Sequence, residues 1–163
     1  VQTGKEEERT MRVKNLMVSD VKYCDPDTNL ATASEMFWKH DCGILPVIEQ
    51  DQIAGVVTDR DICIALGTRN ERASNISVAS VLSGDVFSCS TEDDVKTALE
   101  TMRSKRVRRL PVTDAEGKLV GILSLDDVVC KAQIGGRDLS YSDVVDTYKA
   151  LFDRQLAVLS TAG

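Results

Sequence analysis

Aromatic residues are scarce: three Phe, three Tyr and a single Trp make up 4% of the 163 residues. Aliphatic side chains must therefore supply most of the packing, in a chain long enough to bury one core or two small ones. Long apolar runs are missing too. None approaches the roughly 20 residues that cross a bilayer, and the leading "VQTGKEEERT" is too charged for a secretory signal. No membrane role is expected. An excess of basic charge is also absent, since the net charge is −6 and the pI about 4.8. An extended surface for a polyanion is thereby excluded, and with it a nucleic-acid partner.

There is one histidine, His40, and it has no partner motif, which suits a surface or helix-end residue better than a general base. No nucleophile, base and orienting group form a set, so neither a catalytic residue nor an enzyme is expected. The cysteines (Cys24, Cys42, Cys63, Cys89 and Cys130) form no C-x-x-C pair, which points to free thiols in a reducing cytoplasm and away from bound metal. Cys63 and Cys130 are read as core-packing residues on closing helices.

What is present is a duplication. "SDVKYCDPDTNLATASEMFWKHDCGILPVIEQ" lies over "GDVFSCSTEDDVKTALETMRSKRVRRLPVTDA" at a constant offset of 65 positions, so that Leu45-Pro46-Val47 matches Leu110-Pro111-Val112. After a one-residue shift "IAGVVTDRDI" falls over "LVGILSLDDV". Each copy starts with a β-prone run ("VKYC", "VFSC") and continues with a helical period. In the first helix Leu30, Ala33, Phe37 and Trp38 share a face, with Trp38 placed to pack or to cover an interface; in the second Val95, Ala98, Leu99 and Met102 recur, with Thr91 and Asp94 as the cap. Two apolar runs joined by the polar turns "EQDQ" and "DAEGK" suit hairpins, and "DRDICIAL" and "LDDVVCKA" close the copies as helices. The order is strand, helix, strand, strand, helix, twice. One copy of about 50 residues would leave a sheet face exposed, so two sheets packed together about an approximate twofold are expected.

This α/β (α+β) pattern divides into a flexible segment at 1–11, units at 12–72 and 73–133, and a tail at 134–163. "IGG" at 134–136 is read as a hinge or helix stop. In the tail, Val144, Val145, Tyr148, Leu151, Phe152, Gln155 and Leu159 recur at helical intervals. That amphipathic helix either packs back on its own module or forms a dimer or partner contact.

The D-P-D-T-x-L entry to the first helix, "LPV" in both copies and Gly-x-x-Thr/Ser-x-x-Asp in both copies together resemble the CBS (cystathionine β-synthase) domain family, over about residues 12–132. The resemblance implies a tandem pair with two clefts between its units, without catalytic chemistry, that senses adenosine compounds such as AMP, ADP, ATP or S-adenosylmethionine. It also implies a homodimer as a common assembly and leaves room for an effector protein; whether magnesium accompanies a phosphate stays open. Carried over by position, one cleft combines Thr58, Arg60 and Asp61 with Phe87, Arg108, Arg109 and Pro111. The other combines Ser124 and Asp127 with Lys22, Cys42, Gly43, Ile44 and Pro46. An ionised Asp61 can accept from both ribose hydroxyls, while Thr58, free helix N–H groups and the two arginines suit phosphate. In the second cleft the arginines become Gly43 and Ile44, and Asp126 stands where Arg60 did, so phosphate is disfavoured there. Thr58-x-x-Asp61 equally satisfies a capping box, and Arg108 and Arg109 equally suit a solvated strand edge.

Overall fold

The computed structural model describes residues 11–82, 85–133 and 139–161, with side chains to 153. The proposed flexible leader apart from Met11, the "IGG" stop and the side chains of Gln155 and Leu159 lie outside the described residues. Among the described residues the architecture is mixed α+β, as expected: five α-helices, a two-stranded sheet of β1 (Leu45–Glu49) and β2 (Gln52–Val57), and a three-stranded sheet in the order β3 (Cys89–Ser90), β4 (Arg109–Thr113), β5 (Leu119–Ser124). The chain separates into two compact units that do not follow the repeat boundaries.

The α1–α2 unit holds Ser19–Ser88 and Thr113–Gly121. Helix α1, Leu30–His40, starts at Asn29, whose side chain accepts from the Thr32 N–H at 3.0 Å. Strands β1, Leu45–Glu49, and β2, Gln52–Val57, pair antiparallel, with Glu49 opposite Gln52. The two turn residues between them, Gln50 and Asp51, have φ of 49° and 64°, the left-handed backbone that a two-residue hairpin turn requires. Helix α2, Asp59–Arg69, follows at once. Leu30, Ala33, Phe37, Leu45, Val47, Val57 and Ile62 form the core, and Ile76 and Val78 join it from the segment beyond α2. That segment is held by backbone bonds from Leu30 to Ile76 (2.9 Å) and from Val78 to Thr28 (2.8 Å). The Arg69 guanidinium clamps it further, donating to the Ser80 hydroxyl and carbonyl.

The α3–α5 unit takes the described residues up to Val18, Cys89–Val112 and those from Ile122 onward. It contains β3 (Cys89–Ser90), α3 (Val95–Lys105), most of β4 (Arg109–Thr113), the end of β5 (Leu119–Ser124), α4 (Leu125–Val129) and α5 (Tyr141–Thr161). Val13 is fully buried here, and the turn that carries it donates backbone N–H groups to Asp93 and Thr91. Helix α5 lies against α3 and α4, burying Val144 and Thr147. The tail thus packs back on its own unit, and Tyr141, Val145 and Phe152 stay about half exposed on its other side.

Four expectations are corrected. Trp38 does not share the buried face of α1: it is 89% exposed, while Leu30, Ala33 and Phe37 fill the narrow inward stripe. The α3 cap is Asp94 alone, accepting from Lys96 N–H at 2.7 Å, in the position equivalent to Asn29; Thr91 takes no part. Cys63 and Cys130 are exposed, because α2 buries only Ile62 and Ala65 and α4 ends before Cys130. The run "VKYC" forms no strand, since only Cys24 pairs with a strand, through Pro46 and Ile48, while the Val21 N–H turns back locally to the Ser19 carbonyl.

Cys24 and Cys89 occupy equivalent positions and are both buried. Burial, helped by the Asp25 carboxylate and opposed by a hydrogen bond with Thr28, pushes the Cys24 thiol up to about 11. Burial, helped by Asp93, pushes Cys89 up to about 12. The folded state thus holds both protons more tightly than the unfolded chain does. The resulting stability is whole below the ordinary thiol value of 9.0 and is lost as pH rises through 11 to 12. Urea midpoints should fall over that range, and the C24A/C89A double variant should show a smaller fall; an equal fall would contradict this origin. In the core, Leu45→Ala and Leu110→Ala, each at a fully buried site, should cost about 2–5 kcal/mol by urea denaturation. Trp38→Ala should stay within about 0.5 kcal/mol of the parent.

Candidate functional site

The two Thr/Ser-x-x-Asp motifs are helix starts with the same internal geometry. At α2, Asp61 N–H donates to Thr58 Oγ1 at 3.3 Å, and Asp61 Oδ2 accepts from both the Thr58 N–H (2.9 Å) and the Thr58 hydroxyl (2.7 Å). At α4, Asp127 N–H donates to Ser124 Oγ at 3.1 Å. Asp127 Oδ2 in turn accepts from the Ser124 N–H at 3.0 Å and from the Ser124 hydroxyl. Both are reciprocal capping boxes. One carboxylate oxygen is committed to the cap, and the cap bonds make no use of Oδ1 and its two acceptor positions. Thr58, Asp61, Ser124 and Asp127 are all half-buried, so each pair is shielded but reachable.

Outside the duplication, Ser140 and Asp143 make the same bonds before α5: Asp143 Oδ2 accepts from the Ser140 N–H (2.9 Å) and hydroxyl (2.7 Å). Those bonds, with Lys96 and Arg103 of α3 nearby, hold the Asp143 carboxyl below its ordinary range. The motif glycine likewise has a packing role. A Cβ on Gly55 would meet the Leu82 side chain at 3.0 Å, tighter than an ordinary contact.

The other candidates divide between the units. With Thr58 and Asp61, the α1–α2 unit holds Arg60, exposed in the first turn of α2, and Phe87, half-buried. It also holds Lys22, paired with Asp20 at 2.7 Å, half-buried Cys42 and Gly43, and buried Ile44 and Pro46. The α3–α5 unit holds exposed Arg108, half-buried Arg109 and buried Pro111, together with Ser124 and Asp127. Within that unit the Leu125 N–H donates to the Arg108 carbonyl at 2.9 Å, tying the residue before β4 to the first turn of α4.

Tyr148 was not legible as part of this neighbourhood. Its hydroxyl donates to Asp126 Oδ1 at 3.1 Å, and its ring stacks on Phe152 with centroids 6.4 Å apart. Partial burial, then the bond to Asp126 and the Asp126 charge, raise its phenol above the ordinary value, with Arg108 opposing. Helical spacing revealed α5 but not the element it would meet. Among the described residues no group of His, Cys, Asp and Glu is arranged to hold a metal ion, and no helix is long and apolar enough to cross a membrane.

Known proteins share this organisation. The CBS domain-containing protein YhcV of Bacillus subtilis is 32% identical over 116 residues, 71% of this chain and 81% of its own length. Inosine-5'-monophosphate dehydrogenase of Thermoplasma acidophilum is 28% identical over 152 residues, 92% of this chain, but this chain spans only 30% of that enzyme. Among solved structures, the CBS domain pair of protein MJ0100, in complex with 5'-methylthioadenosine and S-adenosyl-L-methionine, superposes with a TM-score of 0.67 at 19% identity. The match covers 74% of this chain and 94% of that one. The CBS domain model itself matches residues 13–68 and again 78–132, so the chain belongs to the CBS domain family and carries two CBS domains in tandem.

Proposed function

We propose that this CBS pair is a regulatory module that binds an adenine nucleotide, AMP, ADP or ATP, or another adenosyl compound, and passes its occupancy to a second copy or an effector protein. The observation that carries the reading is the capping carboxylate of Asp61: one oxygen is fixed by Thr58 and the other is left to accept ribose hydroxyls. Adenosyl ligands in the MJ0100 pair are in keeping with it. Thr58, Arg60, Asp61, Phe87, Arg108, Arg109 and Pro111 form the nucleotide site. A weaker site uses Lys22, Cys42, Gly43, Ile44, Pro46, Ser124 and Asp127. The two differ in charge: Arg108 and Arg109 favour a phosphorylated ligand in the first, whereas Asp126 and the loss of both arginines favour a less charged adenosyl ligand, or none, in the second. Binding is the whole output, acting only through unequal affinities for two states. The free thiols suit a cytoplasmic setting.

In thermal shift, the preferred nucleotide at ~100 times its Kd should add about 2.7 kcal/mol of stability. Asp61→Ala should remove that increment. Asp143→Ala, which breaks the equivalent cap at α5, should lower the starting melting temperature and leave the increment intact. Arg108→Ala should weaken ATP more than adenosine. No response to any adenosyl compound would favour a purely structural, oligomerising module.

A homodimer is proposed to form through the outward stripe of α5, where Tyr141, Val145 and Phe152 are 50%, 48% and 57% exposed. Sedimentation should find a dimer that V145E/F152E converts to monomer; an unchanged dimer would move the interface elsewhere.

A further inference from the structure

Within the α1–α2 unit, the end of α1 and the start of α2 border an open groove of about 540 Å³. Phe37 and Ile62, 9% and 5% exposed, supply apolar walls, and Trp38 stands beside them at 89% exposure. The lining includes two carboxylates, Asp41 and Asp59, and no cationic side chain. Asp41 is the left-handed cap of α1 (φ 46°), where the final carbonyls of that helix add negative potential. Asp59 opens α2 and binds the Arg60 N–H with Oδ1. Lys39, His40 and Arg60 belong to the same two helices but do not line the groove.

A single exposed apolar residue needs no explanation. Here an indole, an apolar trough and two carboxylates with no cationic side chain in the lining meet in one place, and one side chain matches all three. A planar guanidinium stacks on indole, forks onto carboxylates and trails an aliphatic stem that covers apolar surface. Lysine, a compact and strongly hydrated charge, matches less of it. The net charge of −6 attracts a basic partner.

We propose that this groove is a docking site for an arginine-bearing segment of a partner protein. The guanidinium lies between Trp38 and the carboxylates of Asp41 and Asp59, and its stem lies over Phe37 and Ile62. Cys42, proposed for the weaker adenosyl site, also borders this groove, so binding here is measured with no nucleotide present.

Trp38 is the chain's single tryptophan, so its emission reports on the groove directly. The full chain is titrated with the blocked peptide acetyl-Gly-Leu-Arg-Leu-Gly-amide and with the same peptide carrying neutral citrulline for arginine. The expected result is a saturable emission change that weakens with salt, with citrulline binding on the order of tenfold more weakly. The D41N/D59N variant should lose a similar factor, and Trp38→Ala, read by calorimetry, should abolish binding. No saturable change at millimolar peptide, or equal affinity for the citrulline peptide, overturns the proposal. It is also overturned if the peptide is silent while Trp38→Ala turns a dimer into monomers, because the groove would then belong to a contact between copies. The citrulline comparison needs no mutation and decides the matter even if a variant fails to fold.

Discussion

The starts of α2 and α4 depend on one device, a carboxylate that closes its own helix. Asp61 and Asp127 each close a helix start by accepting two bonds from the capping residue through one oxygen, so α2 and α4 begin where they do only while those carboxylates are in place. The same constraint fixes the free oxygen. A carboxylate held at two points has lost most of its rotational freedom, and any ligand that uses Oδ1 meets an acceptor that needs no further ordering. Ser140 and Asp143 show that such a box exists for purely structural reasons as well. Under the proposed assignment, binding depends on what accompanies the cap, and Arg108 and Arg109 are proposed as partners of the Asp61 cap alone.

Neither duplicated segment completes its own core. The first takes Ile76 and Val78 from the segment that follows it, and the second takes Val13 from the stretch ahead of the first. Small units leave apolar surface uncovered, and short flanking stretches are the nearest material to cover it. Helix α5 adds a third cover, burying Val144 and Thr147 while its Tyr148 reaches Asp126 in the first turn of α4. The C-terminal helix is thus hydrogen-bonded to a residue that adjoins the second proposed site.

Strong local patterns were legible in the sequence. The 65-residue offset located both hairpins and both capped closing helices, because turn residues and alternating aliphatics act locally. Width and depth were not legible. A period near 3.6 cannot tell Phe37 from its neighbour Trp38, and only packing shows that the inward stripe of α1 stops at the first. Nor does it show that α4 ends at Val129, leaving Cys130 exposed, or that "VKYC" finds a partner only at Cys24. Candidate site residues could be named from the family resemblance, but Tyr148 could not, since it lies outside the repeat and depends on a tertiary contact.

The central claim is that a ligand uses the Asp61 cap because of its surroundings and not because of its shape. Amide chemical-shift mapping tests this most directly, since the three capping boxes report separately in one spectrum. Saturating AMP should shift the amides of Thr58 to Asp61 and the side-chain Nε of Arg109, and leave Ser140 to Asp143 in place. Equal shifts at all three boxes, or none at Thr58 to Asp61, would contradict the account.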